Sequence, residues 1–238
     1  MPGASADRIA ATLLNLVYPS ACPVCEGASD SYRYAPICSN CFSEIERYEG
    51  PACPVCFEPL KSEHAGICGA CLKDEPPFKR IASYGLHEGA LKTAINLLKF
   101  HSVRGLAREL GTMVASIDLP PADIIVSVPL SLKGLRARGF NQTLLVGRTI
   151  SKISGIPLEL GLLRKLKDTP PQVGLNRKER EKNLKGAFEV SRKLSGERVL
   201  LLDDVVTTTS TVRECAKVLL KAGAGEVSVA SISRARGM

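Results

Sequence analysis

The sequence predicts an α/β protein: a mostly parallel sheet flanked by helices, preceded by a small cysteine-rich module. Three observations carry that reading. Residues 199–202, Val-Leu-Leu-Leu, form the kind of apolar run expected of a strand buried on both faces of a parallel sheet, and helical periodicity follows it. Residues 124–128 repeat the same order, with a short apolar run, a loop and a helical pattern. Eight of the nine cysteines lie between residues 22 and 71, in four C-x-x-C pairs.

Composition is ordinary for a globular chain of 238 residues, with 45% hydrophobic and 24% charged residues. No run of 18 apolar residues occurs, which excludes a predicted membrane span. The net charge of +8 is uneven: residues 1–80 carry 7 Lys/Arg against 10 Asp/Glu, and the remainder carries 25 against 14. The basic surplus of the larger part favours phosphate-rich small molecules or nucleic acid.

Residues 5–17 predict an amphipathic docking helix, with Ile9, Leu13 and Leu16 at helical spacing and Pro19 beyond its end. With Arg8 beside Asp7 it makes a poor signal peptide, so a cytoplasmic protein is expected. The C-x-x-C pairs follow: Cys22/Cys25, Cys38/Cys41, Cys53/Cys56 and Cys68/Cys71. Two such knuckles make a tetrahedral thiolate cage, so four suit two structural zinc ions. Sequential pairing puts the first four cysteines on one ion and the last four on the other. A cross-braced pairing of knuckles one and three also satisfies the spacing. A disulfide framework would need an oxidising compartment. His64 reads as an exposed loop residue and Cys215 as a small buried hydrophobe.

Asp74-Glu75-Pro76-Pro77 reads as a linker, which divides the chain into a module of residues 1–75 and an α/β domain of residues 76–238. Within the domain, residues 81–86 predict a strand. Residues 88–100 predict a helix with Leu91, Ile95 and Leu98 on one face and Lys99 at its end, and residues 106–117 a second helix. After the strand at 124–128, the loop 129–139 carries Lys133, Arg136 and Arg138 before a helix that runs to about Ser154, an arrangement suited to an anion. Residues 164–198 hold 11 Lys/Arg against 5 Asp/Glu; they look too polar for core and read as a long mobile flap, with a solvated basic helix as the plain alternative.

The buried run 199–202 ends in Asp203 and Asp204. Thr207, Thr208, Thr209, Ser210 and Thr211 then lead into a helix with Val212, Ala216, Leu219 and Leu220, closed by Gly223. Hydroxyls and free backbone N–H groups at a helix N-terminus suit a phosphate, and adjacent carboxylates suit sugar hydroxyls or Mg²⁺. A sugar phosphate is the implied ligand. A last strand is expected over residues 227–232.

This stretch resembles the phosphoribosyl pyrophosphate (PRPP) motif of type I phosphoribosyltransferases. The resemblance implies that Asp203 and Asp204 face the ribose hydroxyls, that Thr207, Thr208, Thr209, Ser210 and Thr211 cradle the 5′-phosphate, and that Mg²⁺ accompanies PRPP. Lys99 and Arg136 complete the binding set, and Asp203, Asp204, Arg136 and Arg138 form the catalytic set. Thr209 stands where that family has Gly. The Arg-Ala-Arg-Gly-Phe-Asn-Gln run of residues 136–142, with the four knuckles and the PRPP motif, is similar to the ComF family of competence and DNA-uptake proteins. Gln172, Arg177, Arg180 and Asn183 match that family's intervening run and make up the flap. The resemblance implies PRPP or another phosphorylated ribose as ligand, and single-stranded DNA and DNA-uptake proteins as partners. Alternatively, the chain is a regulatory or scaffold protein with an inactive phosphoribosyltransferase fold that docks through its knuckles.

Overall fold

The computed structural model describes residues 20–62, 64, 66–167 and 183–237. In chain order its elements are α1 (Ser39–Ser43), α2 (Gly69–Lys73), β1 (Ile81–Leu86), α3 (Gly89–Phe100), α4 (Leu106–Ala115), β2 (Ile124–Ser127), α5 (Leu132–Arg138), α6 (Gln142–Ser154), β3 (Leu158–Glu159), β4 (Leu163–Lys165), β5 (Phe188–Val190), β6 (Arg198–Val206), α7 (Ser210–Lys221) and β7 (Glu226–Arg234). The described residues of Met1–Glu46 and Glu88–Leu106 form one compact unit, and those of Arg47–His87 and Ala107–Met238 another.

In the first unit, α3 buries Leu91, Ala94, Ile95 and Leu98, the face that periodicity predicts. α1 packs against α3 and buries Phe42, whose ring stacks on Tyr34 at 4.0 Å.

The second unit is built on a parallel sheet in the order β1-β7-β6-β2-β3. β6 is the central strand, and Val199–Leu202 are at most 1% exposed. Adjacent strand residues point to opposite faces. Leu201 shares a core with Val212, Cys215, Ala216 and Leu219 of α7. Leu202 meets α6 at Gly147, where a Cβ would come within 3.2 Å of Leu202 and Leu158. Glycine there lets α6 lie close on the sheet. Gly111 does the same between α4 and α6, since a Cβ would sit 2.6 Å from Thr149. At the start of β6, Arg198 grips Asp123 just before β2, with bonds of 2.8 Å from its backbone N–H and 2.7 Å from its guanidinium.

Two expectations need correction. The basic stretch after β2 is not an open loop; residues 132–138 form α5, capped by Ser131 and closed by Gly139 at φ +71°. Nor is the run 164–198 uniformly flap-like. β4 and β5 pair as an antiparallel hairpin, and Leu184, Ala187, Phe188 and Leu194 are buried in the sheet core. A few apolar residues suffice because the hairpin seats them together against α7. Gln172, Arg177 and Arg180 lie outside the described residues, as does the helix expected over residues 5–17. No described helix is long and apolar enough to cross a membrane.

The Arg198 hydrogen bonds hold the Asp123 carboxyl down from 3.8 to about 2. Because the folded value is the lower one, the pair stabilises the fold fully above the unfolded value, and its contribution fades as pH falls from about 4 to 2. In urea unfolding followed against pH, Asp123→Asn should lose stability at neutral pH and show a flatter decline over that acid range than wild type. Parallel profiles would show that the clamp contributes nothing.

Candidate functional site

The two carboxylates stand near the carboxyl end of β6, which continues past them to Val206. They are not equivalent. Asp204 is 6% exposed and accepts a 2.6 Å bond from Gln142 Nε2, whereas Asp203 is half-buried and accepts the backbone N–H of Asp204 at 2.9 Å. A buried carboxylate is costly without a donor, and Gln142 is that donor. Gln142 is itself 3% exposed. The motif that supplies it now reads residue by residue. Gly139 closes α5, Phe140 is buried, and Asn141 caps α6 by accepting from the N–H groups of Thr143 and Leu144 at 3.0 and 3.4 Å. Asn141 also donates to the Val128 carbonyl at 3.3 Å, which ties the start of α6 to the end of β2.

Beyond Val206 the chain turns through Thr207, Thr208 and Thr209 into α7. The Arg213 N–H bonds the Thr209 carbonyl at 2.8 Å, so the N–H groups of Ser210, Thr211 and Val212 precede the intrahelical ladder. The Thr208 and Ser210 hydroxyls lie 3.1 Å apart. Carboxylates, hydroxyls and a helix N-terminus are thus contiguous. Thr209 takes the left-handed conformation, φ +63° and ψ −6°, which a β-branched residue rarely adopts. Its hydroxyl accepts Arg213 Nε at 3.2 Å.

Arg136 and Arg138 lie in the last turn of α5, Arg136 exposed and Arg138 half-buried. Lys99 lies near the end of α3, in the first compact unit, and Asn183 follows the undescribed part of the flap run. Gln142, Arg213 and Arg234 were not singled out by sequence reasoning. For Gln142 the only signal was its place at the end of the Arg-Gly-Phe-Asn-Gln run.

Each set of four cysteines brings its sulfurs within 4.8 Å of one another: Cys22, Cys25, Cys38 and Cys41 in one, Cys53, Cys56, Cys68 and Cys71 in the other. Pairing is therefore sequential. Cys25 and Cys38 sulfurs are 3.7 Å apart and those of Cys56 and Cys68 3.5 Å, close to the roughly 3.8 Å edge of a tetrahedron with ~2.3 Å Zn–S bonds. The two cages share one local design. Cys38 and Cys68 donate backbone N–H groups to Cys22 and Cys53 at 3.4 Å, and Glu26 and Phe57 both adopt positive φ after the first knuckle. These thiols fit zinc, which they would hold as a structural ion with no open position. Burial raises Cys22, but the N–H groups of Cys38, Cys25 and Val24 outweigh it and bring the thiol down to about 6. Cys53 comes down to about 7 in the same way, while burial pushes Cys71 up to about 12 and raises Cys41 and Cys56 as well. His64 is exposed and belongs to neither cage. Cys215 is fully buried in the sheet core, and burial raises its thiol far above the ordinary range.

The double zinc ribbon domain family matches residues 13–72. The DNA utilization protein YhgH of Salmonella typhi is 33% identical over 207 residues, covering 83% of this chain and 90% of that protein. Competence protein F of Haemophilus influenzae is 32% identical over 225 residues, covering 89% and 90%. Competence protein ComFC of Bacillus subtilis is 23% identical over 79% of each chain. Among solved structures, the glutamine PRPP amidotransferase of B. subtilis superposes on 52% of this chain with a TM-score of 0.38 and 26% identity; the match spans 25% of that enzyme.

Two outcomes are expected. Elemental analysis should find two zinc ions per chain, lost as pH falls because protons reclaim thiolates that the metal holds; a thiol reagent should leave Cys215 unmodified until the chain unfolds. At Thr209, the hydroxyl's bond to a guanidinium contributes about 2 kcal/mol and the left-handed conformation costs ~1–2. Thr209→Ala keeps the cost and loses the bond, so it should destabilise by about 2 kcal/mol in urea unfolding. Thr209→Gly loses both and should change stability by less than about 1 kcal/mol. Equal effects of the two changes would show that the strain does not matter, and an unchanged stability of Thr209→Ala that the bond does not.

Proposed function

Because the chain belongs to the ComF family of competence and DNA-utilization proteins, we propose that it is a PRPP-binding protein of the phosphoribosyltransferase type that acts in the uptake or processing of single-stranded DNA. The observation that carries this reading is the continuity of Asp203 and Asp204 at the end of β6 with the hydroxyl turn 207–211 at the start of α7. A 5′-phosphate in that turn would take N–H groups of the first turn of α7 and the hydroxyls of Thr207, Thr208, Ser210 and Thr211. The ribose diol would then meet Asp203, the more accessible carboxylate, while Asp204 is fixed by Gln142.

A transferase must also stabilise a leaving pyrophosphate as positive charge builds on the ribose ring. Arg136 and Arg138 are the residues for that task. Mg²⁺, when bound with PRPP, supplies charge neutralisation at the pyrophosphate. Asn183, Gln172, Arg177 and Arg180 would close over the ligand and exclude water. The surplus of 25 Lys/Arg over 14 Asp/Glu beyond residue 80 supports an additional role for phosphate backbones of single-stranded DNA. Thr209, a side chain at the cradle where the motif has Gly, favours a second reading, a regulatory or scaffold protein with a catalytically inactive phosphoribosyltransferase fold that docks through its zinc ribbons.

Calorimetric titration of PRPP with Mg²⁺ into the full chain tests the site. Micromolar binding is expected, weakened at least about tenfold in Asp203→Asn and in Asp204→Asn, with both variants folded by circular dichroism. Absence of heat in wild type would overturn the PRPP reading. Pyrophosphate release in the presence of an acceptor would separate turnover from an inactive fold.

A further inference from the structure

Two buried arginines join the hydroxyl turn to the second cysteine cage. Arg234, at the end of β7, is 4% exposed. On one side its Nη1 donates to the carbonyls of Val206, at 3.0 Å, and Thr207. On the other its Nε donates to the carbonyl of Cys56 at 3.2 Å, and its Nη2 pairs with Glu58. Arg213, in the first turn of α7, is 7% exposed. Its Nε donates to the Thr209 hydroxyl, while Nη1 and Nη2 hold the Asp74 carboxylate at 3.0 Å and the Asp74 carbonyl at 2.6 Å. Asp74 is the residue on which α2, the helix of Cys71, ends.

Both ends of the turn 206–209 are therefore pinned to backbone that the second cage shapes: the Cys53/Cys56 knuckle through Arg234 and the Cys68/Cys71 knuckle through Arg213. Planar guanidinium groups with fixed donor directions transmit position, not merely charge. Loss of the Arg234 guanidinium would take this donor from the Cys56 carbonyl, whereas the Val206 carbonyl would keep the Ala235 N–H at 2.9 Å.

We propose that Arg213 and Arg234 are positioning residues that build the phosphate turn on the second zinc ribbon, so that metal held by Cys53, Cys56, Cys68 and Cys71 sets the shape of that turn. This rests on the assignment of residues 207–211 as the phosphate cradle only for its ligand. The mechanical link stands without it. Because the link is an equilibrium coupling, it runs both ways: ligand in the turn retards metal loss from the second ribbon.

The test uses the zinc-loaded full chain. Amide hydrogen exchange is followed over residues 206–213 and, as an internal reference, over the β6 core at 199–202. Variants are Arg213→Lys and Arg234→Lys, which keep charge and all eight thiols, and Cys68→Ser, which removes a ligand. Exchange in 206–213 is expected to quicken about tenfold in each while 199–202 keeps its protection. Unchanged exchange in 206–213 in all three would overturn the proposal, as would a Cys68→Ser effect absent from both arginine variants. In parallel, zinc transfer to a chromogenic chelator is timed with and without PRPP and Mg²⁺. Slower transfer with ligand in wild type, lost in Arg234→Lys, supports the coupling. PRPP that binds calorimetrically without slowing transfer counts against it. If PRPP does not bind wild type at all, the ligand assignment fails alone and the exchange measurement decides the coupling.

Discussion

A strand buried on both faces cannot end in two carboxylates without arrangements for each, and much of the second unit answers that constraint. β6 is covered through Leu201 by α7 and through Leu202 by α6. The two helices therefore begin on opposite faces of the same strand end. That placement lets Gln142, the first residue of α6, reach Asp204, while the turn into α7 leaves Asp203 more accessible. The asymmetry of the acidic pair is thus a consequence of sheet geometry: consecutive residues point opposite ways, and only one side has a buried amide waiting. Substituting Gln142 by an apolar residue would remove the 2.6 Å bond to Asp204 and raise the cost of burying that carboxylate.

The two ribbons show how one local design can serve different structural ends. Their knuckles repeat the same backbone-to-sulfur bonds and the same positive-φ residue. Yet Cys53, Cys56 and Cys71 belong to the core that also contains Phe78, Ile81 and Val229, and the Val55 carbonyl accepts the Ile81 N–H at 2.8 Å. Metal binding stabilises whatever structure organises the ligands. For the second ribbon that structure includes the start of β1, so its stabilisation is shared with the sheet. Metal is therefore not the sole support of this ribbon, which borrows apolar neighbours from the sheet.

Much of the sheet was legible in the sequence because its signals are local. Four consecutive apolar residues at 199–202, the helical spacing of Leu91, Ile95 and Leu98, and the C-x-x-C pairs each declare themselves within a few positions. Sequential pairing of the knuckles was one of two arrangements that spacing allowed, and the sulfur distances select it. What escaped is what depends on distant partners. Arg213 meets Asp74 across 139 positions, and Arg234 meets Cys56 across 178. In sequence each is a single basic residue near an element's end, indistinguishable from a solvated one. The hairpin of β4 and β5 escaped for a related reason. Its strands are three residues each, and their burial comes from the α7 face beneath them, not from any periodicity of their own.

Thr209 shows the same limit at one residue. From sequence, a β-branched side chain where the motif has Gly is a defect, since it resists the left-handed backbone. In the fold it keeps that backbone and adds an acceptor for Arg213, which a glycine could not supply. A bond to a guanidinium is worth about 1.5–3 kcal/mol, against ~1–2 for the conformation. The balance therefore runs from about −0.5 to about +2 kcal/mol in favour of threonine. The same side chain that strains the turn also fastens it to the arginine that reaches the second ribbon, so at this position the departure from the motif and the attachment to the ribbon are one feature. A glycine would leave the turn held from Arg213 only through the backbone of α7.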